Sequence, residues 1–224
     1  EIEITVEETG DRESDEFMPQ LRSRTFEKLY ETMIVNYTPS GRNEEYQEPA
    51  ILYICGGNSE SNSYFQQLVD WRHKRGYVVY TASLGETGSS SSQIKNYVTN
   101  AYNTFNPRPE FVALVGDAGG SYNVPTFYED WGHNSYGNDC EGDHPYSQLN
   151  GNDLLPEVLI GRISVRSTSD LSVVTSKIVN YEKATYMADM TTYYEKAALV
   201  GDPSSSGIST VISNEYVEEI MVAH

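Results

Sequence analysis

From Pro49 onward the chain alternates between short apolar runs and amphipathic segments, and few folds accept that alternation. The runs are "AILYIC" (50–55), "YVVYTA" (77–82), "FVALVG" (111–116), "VLIG" (158–161) and "AALVG" (197–201), each bounded by glycine or polar residues. Consecutive apolar residues put side chains on both faces of a strand, so such strands are covered on both sides, as in a parallel sheet. Between them Tyr64, Leu68 and Trp71, then Ile94, Val98, Ala101 and Phe105, then Leu171, Val174, Ile178 and Tyr181 recur at helical spacing. Parallel strands need such crossovers, which return the chain to the starting edge. Ser90 with Gln93 and Ser167 with Asp170 have the spacing of residues that satisfy the orphan N–H groups at a helix start. The pattern predicts an α/β fold with a doubly wound, mostly parallel sheet in three layers. Ligands on such sheets bind beyond the carboxyl ends of the strands.

Ahead of this pattern the residues differ in kind. Ile2, Ile4 and Val6 alternate as in a strand. Phe17, Leu21, Leu29 and Met33 fall near helical spacing, and "TPSGRNEEYQEP" breaks the pattern with proline, glycine and charge. Residues 1–48 are expected to be a strand and helix extension with a linker, the remnant of a pro-segment or a docking arm. The start lacks an initiating Met, a basic n-region and an apolar h-region, as expected of a mature or excised piece. Residues 113–117 and 198–202 both spell "ALVGD". Two similar buried strands would account for the repeat. So would two like-folded units in tandem, the first over 49–190 and the second beginning at 191–224.

Charge removes whole classes of function. Fifteen Lys and Arg stand against 33 Asp and Glu, a net charge of -18, which repels phosphate backbones and anionic lipid. Nucleic acid and membrane insertion are therefore not expected, and no run of apolar residues is long enough to span a bilayer. Eighteen tyrosines, with many Ser, Asn and Gly, lean towards an exported bacterial protein. Two cysteines set no disulfide framework. The acidic residues gather in the long segment 133–153, where Asp139, Glu141, Asp143 and Asp153 supply the hard oxygen ligands that calcium takes. A solvated acidic loop is the competing reading. His133, Cys140 and His144 match no familiar zinc spacing.

Other residues invite chemistry, and each has a plainer explanation. Gly56-Gly57 follows a strand as a phosphate loop would, but no Gly-Lys-Ser/Thr comes after it. Cys55 ends a strand where nucleophiles can be presented; a buried thiol packing as a hydrophobe is the expectation. His73, beside Lys74 and Arg75, is expected on a solvated surface. Asp117 and Asp202 follow strands where carboxylates can orient a histidine, hold a metal or, as the default for either alone, cap the next helix. Arg162 follows an apolar run, where a guanidinium either pairs with a carboxylate, for which the acidic loop is the expected source, or snorkels to the surface.

The segments "DWRHKRGY", "IKNYVTNAYN", "PEFVALVGD", "VPTF", "HPYSQLNGNDLLPEVLIGRISVRS" and "KIVNYEK", in this order and spacing, resemble the gingipain-type cysteine peptidases of the caspase-like clan over roughly residues 49–215. The resemblance implies a secreted or surface endopeptidase with two caspase-like subdomains. The first, non-catalytic one is subdomain A at 49–190; the second, of which 191–224 is the beginning, carries the histidine and cysteine. It further implies that Asp202 matches the acid that orients the catalytic histidine. Neither the family's Gly-His-Gly motif nor its strand-terminal cysteine occurs up to His224, so this chain by itself is expected to be inactive. "SGISTVIS" holds no carboxylate where arginine-specific members place one. Protein or peptide substrates and the remainder of the catalytic domain are the implied partners. The competing function is a non-catalytic, calcium-stabilised binding or adhesion module on the same scaffold. A receiver-like or flavodoxin-like domain would fit the fold class but lacks its acidic cluster and phosphate loop.

Overall fold

The computed structural model describes residues 21–38, 45–129, 140–151, 154–184, 197–201, 204 and 208–223. Glu1–Ser176 and Lys177–His224 form two compact units.

In the first unit, β1 (Ala50–Cys55), β2 (Val78–Ser83), β3 (Phe111–Val115) and β6 (Leu159–Ile163) form one sheet in the order β2-β1-β3-β6. Every pairing is parallel, with Ala50 opposite Val78, Ile51 opposite Phe111 and Phe111 opposite Leu159. The chain adds β2 on one side of β1 and then β3 on the other, so the direction of winding reverses between β1 and β3. The alternation of strand side chains decides what each face meets. Leu52 and Ile54 of β1, with Val112 and Leu114 of β3, pack against Ile94, Val98 and Ala101 of α4 (Ser91–Thr104), all of them buried. Tyr53 points the other way and meets Phe65 of α2 (Ser63–Lys74) edge-on, ring centroids 5.2 Å apart. Each large aliphatic side chain so buried stabilises the fold by roughly 1.5–3 kcal/mol. α5 (Thr168–Glu182) starts beside α2: Asn62, the N-cap of α2, donates to the Thr168 hydroxyl at 3.2 Å. The sheet thus has helices on both faces, as expected.

The predicted helix starts hold. Ser90 accepts from the Gln93 amide while Gln93 accepts from the Ser90 amide. Ser167 accepts from the Asp170 amide at 3.2 Å, but Asp170 returns its carboxylate to the amide of Arg166 rather than of Ser167. A short helix, α3 (Leu84–Thr87), has no counterpart in the periodicity because one turn is too short to show a period. A capping box of Ser83 and Glu86 starts it.

Three expectations need correction. In the N-terminal segment α1 runs only over Arg24–Met33, capped by Ser23. The expected stripe does not face inward, since Leu21 and Met33 are exposed and Phe17 lies outside the described residues. The buried residue of α1 is Glu27, which accepts from the Tyr46 and Tyr37 hydroxyls. The acidic segment is not one long loop, because β4 (Phe127–Glu129) and β5 (Cys140–Gly142) pair antiparallel. A 3-10 turn at His144–Tyr146 follows, and the buried Tyr146 donates to Pro125 O at 2.6 Å and packs on Phe127. Finally, 197–201 is no strand. A strand exists only by its ladder, and no described residue pairs with these. Within the second unit they run along α6 (Ile208–Ala223), where Gly201 approaches Val211 and Asn214, and Leu199 and Val200 stay exposed.

Candidate functional site

A doubly wound sheet offers its ligand crevice beyond the carboxyl ends of the strands where the winding reverses, here between β1 and β3. Cys55 ends β1, with Gly56 and Gly57 after it, and Gly116 and Asp117 follow β3. The crevice is filled by the chain itself. Residues 117–124 fold back so closely that a Cβ on Gly56 would stand 2.5 Å from Tyr122 O, and one on Gly116 1.9 Å from the same oxygen. Gly116 has φ +149° and Gly57 φ +57°, backbone that side-chain-bearing residues rarely adopt. These glycines therefore serve close backbone approach rather than phosphate binding. The ladder continues into the loop: Gly56 N donates to Val115 O, Gly116 N to Ile163 O and Asp117 N to Val165 O.

Cys55 is fully buried beneath this cover, on the α2 side of the sheet. Burial, with smaller contributions from Glu60 and Glu86, pushes its thiol up to about 12, against a weaker opposing pull from Ser59. A group that keeps its proton and meets no solvent is no nucleophile, so the packing reading of Cys55 holds. His73 is exposed in the last turn of α2 with Arg72 and Lys74, where cations suit the helix end.

Arg162 holds the closing loop in place. It lies within β6, opposite Leu114, rather than after the strand. All five of its N–H donors are used. Nε and one Nη2 hydrogen reach the two oxygens of Asp143 at 2.8 and 2.7 Å. The rest go to the carbonyls of Gly116 (3.0 Å), Val124 (2.7 Å) and Pro125 (3.3 Å). The expected carboxylate partner is thus present, and it does come from the acidic segment. Thr126 adds a donated bond to Asp143 at 2.9 Å. The pair is largely covered, with 14% of the arginine and 22% of the aspartate side chain exposed. At this depth a planar fork satisfied on every donor is strong where an ammonium would leave acceptors unmet.

Asp117 has the plain role of a loop anchor. Its carboxylate accepts from the Ala118 amide, the Ser164 hydroxyl and Arg166, and its own carbonyl accepts from Val124 N. Arg166, then Ser164 and the Ala118 amide, hold it below its ordinary value. Of the residues predicted for calcium, only Asp143 has a described side chain. Asp139 and Asp153 lie outside the described residues, as does the side chain of Glu141. Asp202 also lies outside them. Among the described residues no group of three His, Cys, Asp or Glu is arranged to hold a metal ion. Sequence reasoning missed the closing loop, although glycines ending two strands at 56, 57 and 116 are the signal a close backbone approach leaves.

Strand order, crossover helices on both faces and the site at the reversal define a doubly wound α/β unit of caspase-like type. The chain belongs to peptidase family C25, whose sequence profile matches residues 44–223. Gingipain R1 of Porphyromonas gingivalis is 26% identical over 187 residues, 82% of this chain and 18% of that protein. Lys-gingipain of the same organism is 25% identical over 210 residues, 92% of this chain and 11% of that protein. This chain therefore spans less than a fifth of either of these two relatives. Among solved structures, one described as a protease matches with TM-score 0.55 and 25% identity over 70% of this chain and 33% of its own. The Arg-specific cysteine proteinase gingipain R matches with TM-score 0.56 and 23% identity over 84% of this chain and 41% of its own, a likeness of fold. No helix among the described residues is long and apolar enough to cross a membrane.

Proposed function

We propose that the chain is part of a secreted or surface cysteine endopeptidase, and that residues 49–190 are its non-catalytic subdomain. The observation that carries this reading is the closed carboxyl edge. In a family of peptidases, this sheet has its own loop where a substrate would lie, and its strand-end cysteine is sealed and protonated. The reacting thiolate and imidazole then belong to other residues of the parent protein, and this chain alone does not turn over. In the parent, a thiolate attacks the peptide carbonyl and the histidine delivers a proton to the departing amine; water then releases the acyl group. Asp202 is the acid that keeps the imidazole in the useful tautomer and stabilises its charged form. Protein or peptide substrates follow from the same reading.

The test uses the intact parent. Cys55→Ser should leave peptide hydrolysis unchanged, whereas Asp202→Ala should lower kcat by a large factor with the same Tm. Loss of activity in Cys55→Ser without unfolding would overturn the reading. A parent that hydrolyses no peptide would favour the adhesion module.

Calcium is narrowed by geometry. Asp143 does not fit as a ligand, because both its oxygens accept from Arg162 and a divalent ion there would meet the guanidinium charge. A calcium site would rest on Asp139, Glu141 and Asp153. A rise in Tm with added calcium, reversed by a chelator, would support it; an unchanged Tm would retire it.

A further inference from the structure

At the amino end of the sheet, opposite the closed edge, a cavity of about 460 Å³ opens between α1, the end of α4 and the segments entering β3 and β6. Its size is that of a small-ligand site. Phe26, Tyr30, Tyr37 and Tyr102 give it aromatic walls, with Pro109 and Pro156 between them. Phe26 and Tyr30 lie 6.2 Å apart, and Tyr30 and Tyr37 5.8 Å, as a continuous run of tilted rings. Three carboxylates, Glu27, Glu110 and Glu157, face two guanidinium groups, Arg22 and Arg108.

The uncommitted groups decide what would fit. Arg22, Arg108 and Glu27 have partners of their own, and Arg108 lies over the Tyr102 ring at 5.2 Å. Glu110 is only 3% exposed and uses one oxygen, Oε2, to accept from Thr25. Glu157 likewise uses only Oε2, for the amides of Leu149 and Asn150. Among the described residues nothing donates to Oε1 of either, nor bonds the hydroxyls of Tyr30 or Tyr102. The pKa of Tyr102 is raised, first by burial; Arg108 opposes this, and Glu157 and Tyr30 add to it. Unused carboxylate oxygens beside ring faces call for a ligand that brings both donors and positive charge.

We propose that this cavity binds an organic cation, a guanidinium or alkylammonium group on a short apolar stem, with Glu110 Oε1 taking the charge and Tyr30 and Tyr102 flanking the stem. The chain's charge of -18 concentrates such cations near it. The site is independent of the proposed peptidase chemistry, which belongs to other residues of the parent protein.

Agmatine, N-acetyl-arginine amide and its neutral counterpart N-acetyl-citrulline amide would be titrated into the protein by calorimetry. Saturable binding of a cationic probe, at least about tenfold tighter than the citrulline compound and weakened at least about tenfold by Glu110→Gln, is expected. Agmatine binding alone would indicate a free amine, and preference for the arginine amide a basic side chain in a protein. If Glu110→Gln does not fold, Tyr30→Leu on the exposed side of α1 replaces it with the same expectation. No saturable binding, equal binding of the neutral compound, or affinity unchanged by the variants would overturn the proposal.

Discussion

Replacing Arg162 by alanine removes the group that joins the closing loop to the acidic segment. The arginine gives two charge-assisted bonds to Asp143 and three to the carbonyls of Gly116, Val124 and Pro125. Breaking a buried pair from one side costs about 3–5 kcal/mol, because the surviving charge stays desolvated without its partner. Asp143 is 22% exposed on its side chain and can recover some water, which places the loss near the lower end, about 3 kcal/mol. For a chain of this size that corresponds to a fall in Tm of roughly 6–12 °C. Urea unfolding followed by circular dichroism would measure it. Arg162→Lys keeps the charge but loses the planar fork, so a loss of about 1–2 kcal/mol is expected. The sharper measurement is the cycle with Asp143→Asn: the two single losses should exceed the double loss by about 1–3 kcal/mol. A coupling within about 0.5 kcal/mol of zero, or an alanine variant as stable as the parent, would refute the view that this pair clamps the loop.

Cys55, in a Cys140→Ser background, should not react with a disulfide reagent in the folded protein and should react at once in denaturant; folded-state labelling at neutral pH would contradict its burial. Its thiol is raised from 9.0 to about 12 on folding, so the fold prefers the protonated form: that stability is complete below pH 9 and is lost as pH rises towards 12, which alkaline unfolding of Cys55→Ala would lack. Asp117 is lowered by Arg166, Ser164 and the Ala118 amide, so its contribution is present above its unfolded value of about 3.8 and disappears as acid protonates the folded carboxylate. In Asp117→Asn the Val124 amide should exchange faster; unchanged exchange would remove the anchor role. Gly116→Ala meets Tyr122 O and an unfavourable φ together and should destabilise by at least about 2 kcal/mol; a neutral result would mean the loop can lift away.

The sequence by itself determined the parallel sheet, its three long helices and the capped start of α4, because each is local; α5, with no strand after it among the described residues, is not the crossover expected. Consecutive apolar residues and a period near four show in any window of a dozen residues, and a cap needs only four positions. The sequence left Arg162 two environments, a carboxylate partner or a snorkelled surface position, and the fold chose the first. Which carboxylate answered was tertiary: Asp143 is nineteen positions away in the chain, and only the turn around Tyr146 brings it to β6. The inward turn of Glu27 in place of the apolar stripe on α1 was decided in the same way, by tyrosines at 37 and 46 that no helical period records. The strand expected at 197–201 shows the limit from the other side, because five apolar-rich residues are permission for a strand, and only a neighbouring strand makes one. The closed carboxyl edge was the least legible feature. It depends on three glycines from two strands meeting the backbone of a third segment, and close approach between distant backbones leaves no periodic trace along the chain.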